Sequence, residues 1–223
     1  MERKKLFNIL SLVSNLLILI LVTWSVCYYF FHEGTGNMLA HGTQYFRFFT
    51  IDSNILAAIA SAIYLYFNFM RLAGKEIETP NWLKVFKFVA TNTVAVTFFV
   101  VLFLLTPMSM IQSGTSFWFL YEDNCSVLHG IGPILAMLTL VLFEKDDQIE
   151  KKYTYFQFVP VALYGSIYLI CVVIAKVWPD FYGFTFDGRY YLSPIAAILV
   201  FGVSYGAAEL MYFLQKLCIK KLN

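Results

Sequence analysis

Charge is scarce in this chain. Only 13% of its 223 residues are Asp, Glu, Lys or Arg, whereas 60% are hydrophobic. Soluble domains ordinarily contain about a quarter charged and about half apolar residues, so the composition excludes a water-soluble protein with a single core. The sixteen basic residues exceed the fourteen acidic residues by only two. Such a small excess excludes a typical nucleic-acid-binding protein.

Metal-ligating and cross-linking residues are also few. The chain has three His and four Cys, and neither a CxxC nor an HExxH pattern. These counts argue against a structural zinc site and against a disulfide scaffold, and we predict no metal and no cofactor. Cys27 and Cys125 lie near the same predicted membrane surface, where a disulfide is one possibility and two free thiols are the commoner outcome.

Long apolar runs dominate what the sequence does contain, and its mean hydropathy is +0.69. A helix of about 20 apolar residues crosses a bilayer. Six stretches of about this length lie at 6–30, 48–70, 84–106, 125–143, 155–178 and 193–215. The connections between them are too short to fold alone. We therefore predict an all-α integral membrane protein, in which residues 1–223 form a single bundle of six transmembrane helices.

The basic residues predict how this bundle is oriented. Thirteen of the sixteen lie at one predicted membrane surface, and the other three are Arg47, Lys176 and Arg189. Cytoplasmic loops carry an excess of Lys and Arg, so both chain termini are predicted to be cytoplasmic. The thirteen are Arg3, Lys4, Lys5, Arg71, Lys75, Lys84, Lys87, Lys145, Lys151, Lys152, Lys216, Lys220 and Lys221.

The predicted outer surface is aromatic rather than charged. Residues 117–121 (FWFLY), Trp178 and residues 181–184 (FYGF) carry most of the aromatic rings there. Aromatic side chains at this depth usually form an interfacial belt. The alternative is a lid or a rim for lipid entry, because residues 112–115 (QSGT) resemble a flexible hinge before the first aromatic segment.

A polar side chain within a membrane span is costly and marks a candidate functional site. Thr50 lies about two residues into the second predicted helix and His129 about four residues into the fourth, so at about 1.5 Å per residue both lie within about 6 Å of the outer interface. Equal depth permits contact between them. A threonine hydroxyl becomes a nucleophile when an adjacent base takes its proton, and neutral imidazole is the usual base. Thr50 and His129 are therefore the candidate catalytic pair.

Three neighbours of Thr50 are candidates for substrate binding or support. Ser53 and Asn54, at i+3 and i+4, share its helix face, whereas Asp52, at i+2, points away from that face but is a candidate for orienting the imidazole. Unpaired N–H groups in the first helical turn favour a negative charge developing near Thr50. The structural alternatives are that Thr50 only caps its helix and that the histidine only bonds a loop carbonyl.

A second set of polar residues lies in the predicted cytoplasmic half: Asn15, Asn92 and Glu209. Side chains of this kind commonly join helices through hydrogen bonds, so we interpret them as a structural polar cluster. The alternative is that Glu209 is a proton-coupled or structural acid paired with Lys87 or Lys216.

Short segments of the chain resemble a known family. Residues 45–56 (YFRFFTIDSNIL) are similar to the helix-2 motif of the androgen-induced protein family, and residues 129–135 (HGIGPIL) to its second signature, a His followed by a Pro. Residues 164–178, continuing to Asp187, resemble its third, Tyr- and Trp-rich block. The resemblance covers most of the chain and is closest to the small bacterial six-helix relatives.

This resemblance implies a function. Eukaryotic members are membrane hydrolases of fatty-acid esters of hydroxy fatty acids (FAHFA), with a Thr nucleophile and a His that align with Thr50 and His129. It implies a lipid ester hydrolase whose partners are membrane lipids and a lipid ester substrate. We predict no nucleic acid partner, because of the charge balance, and no protein partner. For a bacterial chain it implies the plasma membrane, with the site near the outer face. The alternative is a non-enzymatic membrane protein that binds or transports a lipid or small solute.

Overall fold

Helices make up the whole framework of the protein. The computed structural model describes residues 2–32, 40, 42–186 and 188–222, and these contain no strand. The main helices are α1 (Glu2–Phe31), α2 (Phe49–Leu72), α3 (Asn81–Ser113), α4 (Val127–Phe143), α5 (Lys151–Ile174) and α6 (Ser193–Leu222). Five of these, all except α4, are long and apolar enough to cross a membrane. The predicted all-α class is therefore confirmed for the described residues, and the five apolar helices suggest a membrane-embedded protein.

Many large apolar side chains lie on the outside of the bundle. Phe103, Ile111, Leu163 and Ile198 are each more than 60% exposed. Soluble monomers rarely present so much contiguous apolar surface, whereas lipid tails cover it at no cost. The exposed surface therefore agrees with the composition in placing the helices in a bilayer.

The helices run alternately up and down, which gives the bundle two ends. Ser11, near the start of α1, donates a hydrogen bond to Glu144, which follows α4. Gln215, near the end of α6, donates to the backbone carbonyl of the same glutamate. We call this the Glu144 end. The opposite end, where α2 begins and His129 lies, is the His129 end.

Several helix boundaries differ from the prediction, including that of the last helix, which ends at Leu222 instead of 215. The third helix was expected to end at 106, but a π-helical segment, Val101–Leu105, leads into a further α-helical segment, Thr106–Ser113. The first two residues of the predicted hinge, 112 and 113, are thus helical, and the chain turns at Gly114, which has a left-handed φ of 64°. The fifth helix ends at Ile174 instead of 178, because the chain bends into an aromatic loop.

The first turn of α4 is a π-helical segment, Val127–Ile131, instead of regular α-helix. Pro133 follows it and has no N–H to donate to the carbonyl four residues earlier, which favours a wider turn at this point. Such widened turns are frequent at functional sites. This one contains His129.

The cysteines are free thiols, as predicted. Cys125 is buried and its sulfur lies 2.9 Å from the hydroxyl of Tyr29, while Cys27 is exposed. No disulfide joins the described residues.

Candidate functional site

Thr50 and His129 are in contact. Thr50 is the second residue of α2 and His129 lies in the π-helical turn of α4, and Thr50 Oγ1 is 3.3 Å from His129 Nε2. Each residue is only 6% exposed. The pairing predicted from equal depth is therefore present as a direct hydrogen-bond contact between two helices.

The second ring nitrogen of His129 fixes the direction of this hydrogen bond. His129 Nδ1 lies 2.6 Å from the backbone carbonyl oxygen of Leu120. A carbonyl only accepts, so Nδ1 carries the proton, and in the neutral ring Nε2 is then an acceptor. The Thr50 hydroxyl donates to Nε2, which is the arrangement that proton removal requires. His129 therefore bonds a loop carbonyl, and its other nitrogen is an acceptor in contact with the Thr50 hydroxyl.

The carbonyl that orients His129 belongs to the aromatic segment Phe117–Tyr121, a short 3-10 helix. The Tyr121 ring also lies edge-on to the imidazole, with ring centroids 6.3 Å apart. Sequence analysis treated this segment as a belt or a rim and did not assign it a role at the site. A backbone carbonyl carries no sequence signature, so residue types alone could not identify it.

Ser53 and Asn54 support the site through backbone carbonyls. Asn54 Nδ2 donates to the carbonyl oxygens of Thr50, at 2.7 Å, and Leu128, at 3.0 Å. Ser53 Oγ donates to the Thr50 carbonyl at 3.1 Å. Asn54 therefore ties the first turn of α2 to the turn that carries His129. We call Thr50, Ser53, Asn54 and His129 the Thr50 cluster.

Asp52 does not join this cluster. Its side chain is exposed, while Thr50 and the adjacent Ser53 are buried, as its i+2 position predicts. The imidazole is oriented by the Leu120 carbonyl instead. An orienting role for Asp52 is therefore wrong for this structure.

The backbone N–H groups at the start of α2 are mostly in use. The N–H of Phe49 donates to the hydroxyl of Tyr182 at 3.1 Å. Those of Ile51 and Asp52 donate to the carbonyl of Phe48 at 3.0 and 3.3 Å. The N–H of Thr50 takes part in none of these bonds, so it is the donor closest to the hydroxyl that can meet a negative charge.

Tyr182 lies in the loop between α5 and α6, which Asp180 holds in place. The Asp180 carboxylate accepts hydrogen bonds from Tyr168 Oη at 2.5 Å and from the backbone N–H groups of Phe184 and Thr185 at 3.0 and 2.8 Å. Burial opposes ionisation of Asp180, but these bonds outweigh it and hold its pKa below the ordinary value. Burial likewise raises the pKa of Tyr182 to about 12, so its phenol stays protonated. Asp187, the last residue of the resembling block, lies outside the described residues.

An apolar cavity of about 110 Å³ ends beside Thr50. It lies between α3, α5 and α6, and none of its lining side chains is charged. Two of the lining residues, Leu169 and Ala197, are exposed on the side of the bundle, so the cavity reaches the surface that faces lipid. His129 does not line it and contacts Thr50 from α4, which contributes no lining residue.

The predicted structural cluster of Asn15, Asn92 and Glu209 is divided among three places. Asn92 Nδ2 donates to Gln157 and to Ser204, both at 3.0 Å. Glu209 pairs with Lys151 near the surface, not with Lys87 or Lys216. Equal predicted depth placed the three together, but they face different neighbouring helices.

Asn15 belongs to a charged cluster that sequence analysis missed. Lys87 Nζ donates to Asn15 Oδ1 at 2.5 Å and to Ser61 Oγ at 3.0 Å, and it lies 4.0 Å from a carboxylate oxygen of Glu144. The other oxygen of that carboxylate accepts from Asn15 at 2.6 Å and Ser11 at 2.8 Å. We call these five residues the Lys87 cluster. The sequence signal for this cluster was Lys87, a lysine inside an apolar helix, and Glu144, an acidic residue directly after a second apolar helix.

No group of three or more His, Cys, Asp or Glu side chains suited to a metal ion occurs among the described residues. Comparison with protein families, with curated proteins and with solved structures finds no match to this chain. The functional argument therefore depends on the geometry and chemistry of the site itself.

Proposed function

We propose that this protein is an integral-membrane hydrolase of lipid esters in which Thr50 is the nucleophile and His129 the base. The observation that carries the proposal is the Thr50 hydroxyl, which donates to the free nitrogen of a tautomerically fixed imidazole and faces an apolar cavity. FAHFA-like esters, which pair an ester group with long apolar chains, suit such a cavity. The proposal agrees with the resemblance of residues 45–56 and 129–135.

The proposed topology has six spans with the Glu144 end in the cytoplasm. α4 is the shortest helix, but Cys125 and Ser126 extend it by two helical residues, which makes it about 28 Å long at about 1.5 Å per residue. A hydrocarbon core is about 30 Å thick. Thirteen of sixteen basic residues lie in segments at the Glu144 end, which supports a cytoplasmic location for it. The site then lies near the outer face, in the plasma membrane for a bacterial chain.

The reaction proceeds in two steps. Thr50 Oγ1 attacks the ester carbonyl carbon while its proton passes to His129 Nε2, and the Leu120 carbonyl, bonded to Nδ1–H, steadies the imidazolium that forms. The carbon–oxygen bond to the alcohol then breaks, and Nε2 gives its proton to the departing oxygen. Water next attacks the acyl-Thr50 carbon and gives a proton to Nε2. The bond to Oγ1 breaks, Oγ1 regains the proton, and the carboxylic acid is released.

The developing oxyanion needs hydrogen-bond donors beside Thr50. The N–H of Thr50 is free of the bonds that occupy its neighbours, and the positive end of α2 favours negative charge there. The Tyr182 hydroxyl lies at the same turn, because it accepts from the N–H of Phe49, and it also hydrogen bonds with the Thr50 side chain. We propose the Thr50 N–H and the Tyr182 phenol as the donors of the oxyanion hole.

The test compares two isosteric substitutions in purified protein. Thr50→Val removes the proposed nucleophile and is expected to lower kcat for ester hydrolysis by roughly 10³-fold or more. Thr139→Val is the matched control, because Thr139 is also buried and its hydroxyl bonds the carbonyl of Leu135 in its own helix, with no partner on another helix among the described residues. The control is expected to retain most of the activity.

Two outcomes would contradict the proposal. Equal activity of wild type and Thr50→Val would exclude Thr50 as the nucleophile. Lipid that co-purifies in the cavity, with no turnover of any ester tested, would instead favour a non-enzymatic lipid-binding protein.

A further inference from the structure

The apolar cavity has a closed end within the membrane. Asn92, Gln157 and Ser204 are fully buried and hydrogen bonded to one another across α3, α5 and α6. Val96, Val161 and Val200, which line the cavity, each lie four residues from one member of this polar layer, which is about one helical turn or 6 Å. The layer therefore forms the floor beneath the cavity.

Most polar groups of the cavity lie at its other end. Thr50, Tyr182 and Ser193 line it at the His129 end, whereas the deep lining towards the floor consists of valines, Phe201 and Thr97. The Thr97 hydroxyl is already bonded to Ser53 and to the carbonyl of Thr93. An unpaired polar group is costly against such a lining. A ligand in this cavity therefore has its polar group at Thr50 and an apolar tail that points towards the floor.

The dimensions of the cavity indicate the length of that tail. On α6 the lining runs from Ser193 to Phe201, which is about 12 Å. An extended hydrocarbon chain advances about 1.25 Å per carbon, given bonds of about 1.5 Å and angles of about 111°. A volume of about 110 Å³ drawn out over about 12 Å is narrow and suits one unbranched chain of about ten carbons.

The position of His129 indicates which part of an ester this chain is. Nε2 gives its proton to the departing alcohol, so the alcohol leaves on the α4 side of Thr50, where the cavity is absent. The acyl part stays on the cavity side, joined to Oγ1.

We propose that the cavity between α3, α5 and α6 is the binding site for a single unbranched acyl chain of about ten carbons, which enters from the lipid past Leu169 and Ala197 and is limited in length by the floor at Asn92, Gln157 and Ser204. The claim that the bound chain belongs to the ester substrate rests on the proposed function. The claim that the cavity binds such a chain is independent of it.

The test fills the deep half of the cavity. Val200→Phe places a ring just above the floor, and Leu199→Phe is the matched control, because Leu199 is 50% exposed on the outer side of the same turn. The measured quantity is kcat/KM for decanoate relative to butanoate p-nitrophenyl esters. Each methylene kept out of an apolar site lowers relative affinity about fourfold, so we expect Val200→Phe to lower this ratio about tenfold or more. The ratio in Leu199→Phe should equal that of wild type.

An unchanged ratio in an active Val200→Phe protein would overturn the chain site and leave the hydrolase intact. If wild type hydrolyses no ester, cross-linking by decanoic acid with a diazirine at its terminal carbon decides instead. Adducts near Val96, Val161 and Val200 that excess decanoate prevents would support the chain site and reject the hydrolase. Adducts confined to lipid-facing residues such as Leu199 would overturn the chain site.

Discussion

The Thr50 cluster and the Lys87 cluster are both buried and both join helices, but they differ in charge. Lys87 and Glu144 carry opposite charges, and their hydrogen bonds go to side chains of the same cluster. The Thr50 cluster has no formal charge and is fixed through the carbonyls of Leu120, Leu128 and Thr50 itself. The Thr50 side chain itself contacts His129 on one helix and Tyr182 in the loop between α5 and α6.

The surroundings of the two clusters differ as well. An apolar cavity meets the Thr50 cluster, whereas a polar cavity of about 390 Å³ lies beside Ser11 and Glu144. Opposite charges that satisfy each other in a membrane protein hold helices together. A neutral hydroxyl and base beside an apolar cavity are instead suited to chemistry on a lipid. Under the proposed function, the Lys87 cluster serves stability and the Thr50 cluster serves reactivity.

The largest expected effect on stability comes from breaking the charged pair. Lys87→Met leaves Glu144 as an unpaired buried charge, and such losses cost about 3–5 kcal/mol. A titration with sodium dodecyl sulfate that measures the free energy of unfolding checks this value. The double variant Lys87→Met with Glu144→Gln removes both charges and should recover much of the loss.

The matched control for this prediction is the ion pair at the surface. Lys151→Met removes the partner of Glu209, but both side chains are partly exposed, and exposed ion pairs contribute little. Its free energy of unfolding should remain close to that of wild type. Equal losses of unfolding free energy in Lys87→Met and Lys151→Met would contradict the assignment of the Lys87 cluster as the more stabilising ion pair.

A smaller effect is expected where α4 packs against the Thr50 cluster. A Cβ at Gly132 would lie 2.9 Å from the Val127 carbonyl oxygen and 3.2 Å from Asn54 Oδ1. Gly132→Ala should therefore cost about 1–3 kcal/mol and lower activity, because it pushes α4 away from Asn54. Gly202→Ala, where a Cβ meets nothing within 4 Å, should be neutral or slightly stabilising. The same detergent titration compares the two, and a harmless Gly132→Ala would show that this contact is not required.

Much of the helical framework was predictable, because apolar runs of about 20 residues have few alternatives to a membrane helix. The contact between Thr50 and His129, which their equal predicted depth permits, is also present in the structure. The prediction was wrong for the end of the third helix, where the apolar run stops near 106 but the helix continues beyond Pro107 to Ser113. A proline is tolerated in the first turn of a helix, so it did not mark an end.

The Leu120 contact and the Lys87 cluster could not be predicted from the sequence, for physical reasons. The Leu120 carbonyl is available to His129 only because the 3-10 turn aims it there, and any residue type supplies a carbonyl. Lys87 and Glu144 are 57 positions apart, and each was expected to reach water from the end of its helix. Burial of the pair depends on Asn15 and Ser61, which lie on two further helices.

The most direct test of the central claim is the position of a covalent label. A fluorophosphonate loses fluoride to an activated hydroxyl, and peptide mass spectrometry then identifies the labelled residue. The account predicts that the phosphonate is attached to Thr50 in wild type, that Thr50→Val is unlabelled, and that His129→Gln is labelled much more slowly. Attachment to another residue, or undiminished labelling of Thr50→Val, would contradict it.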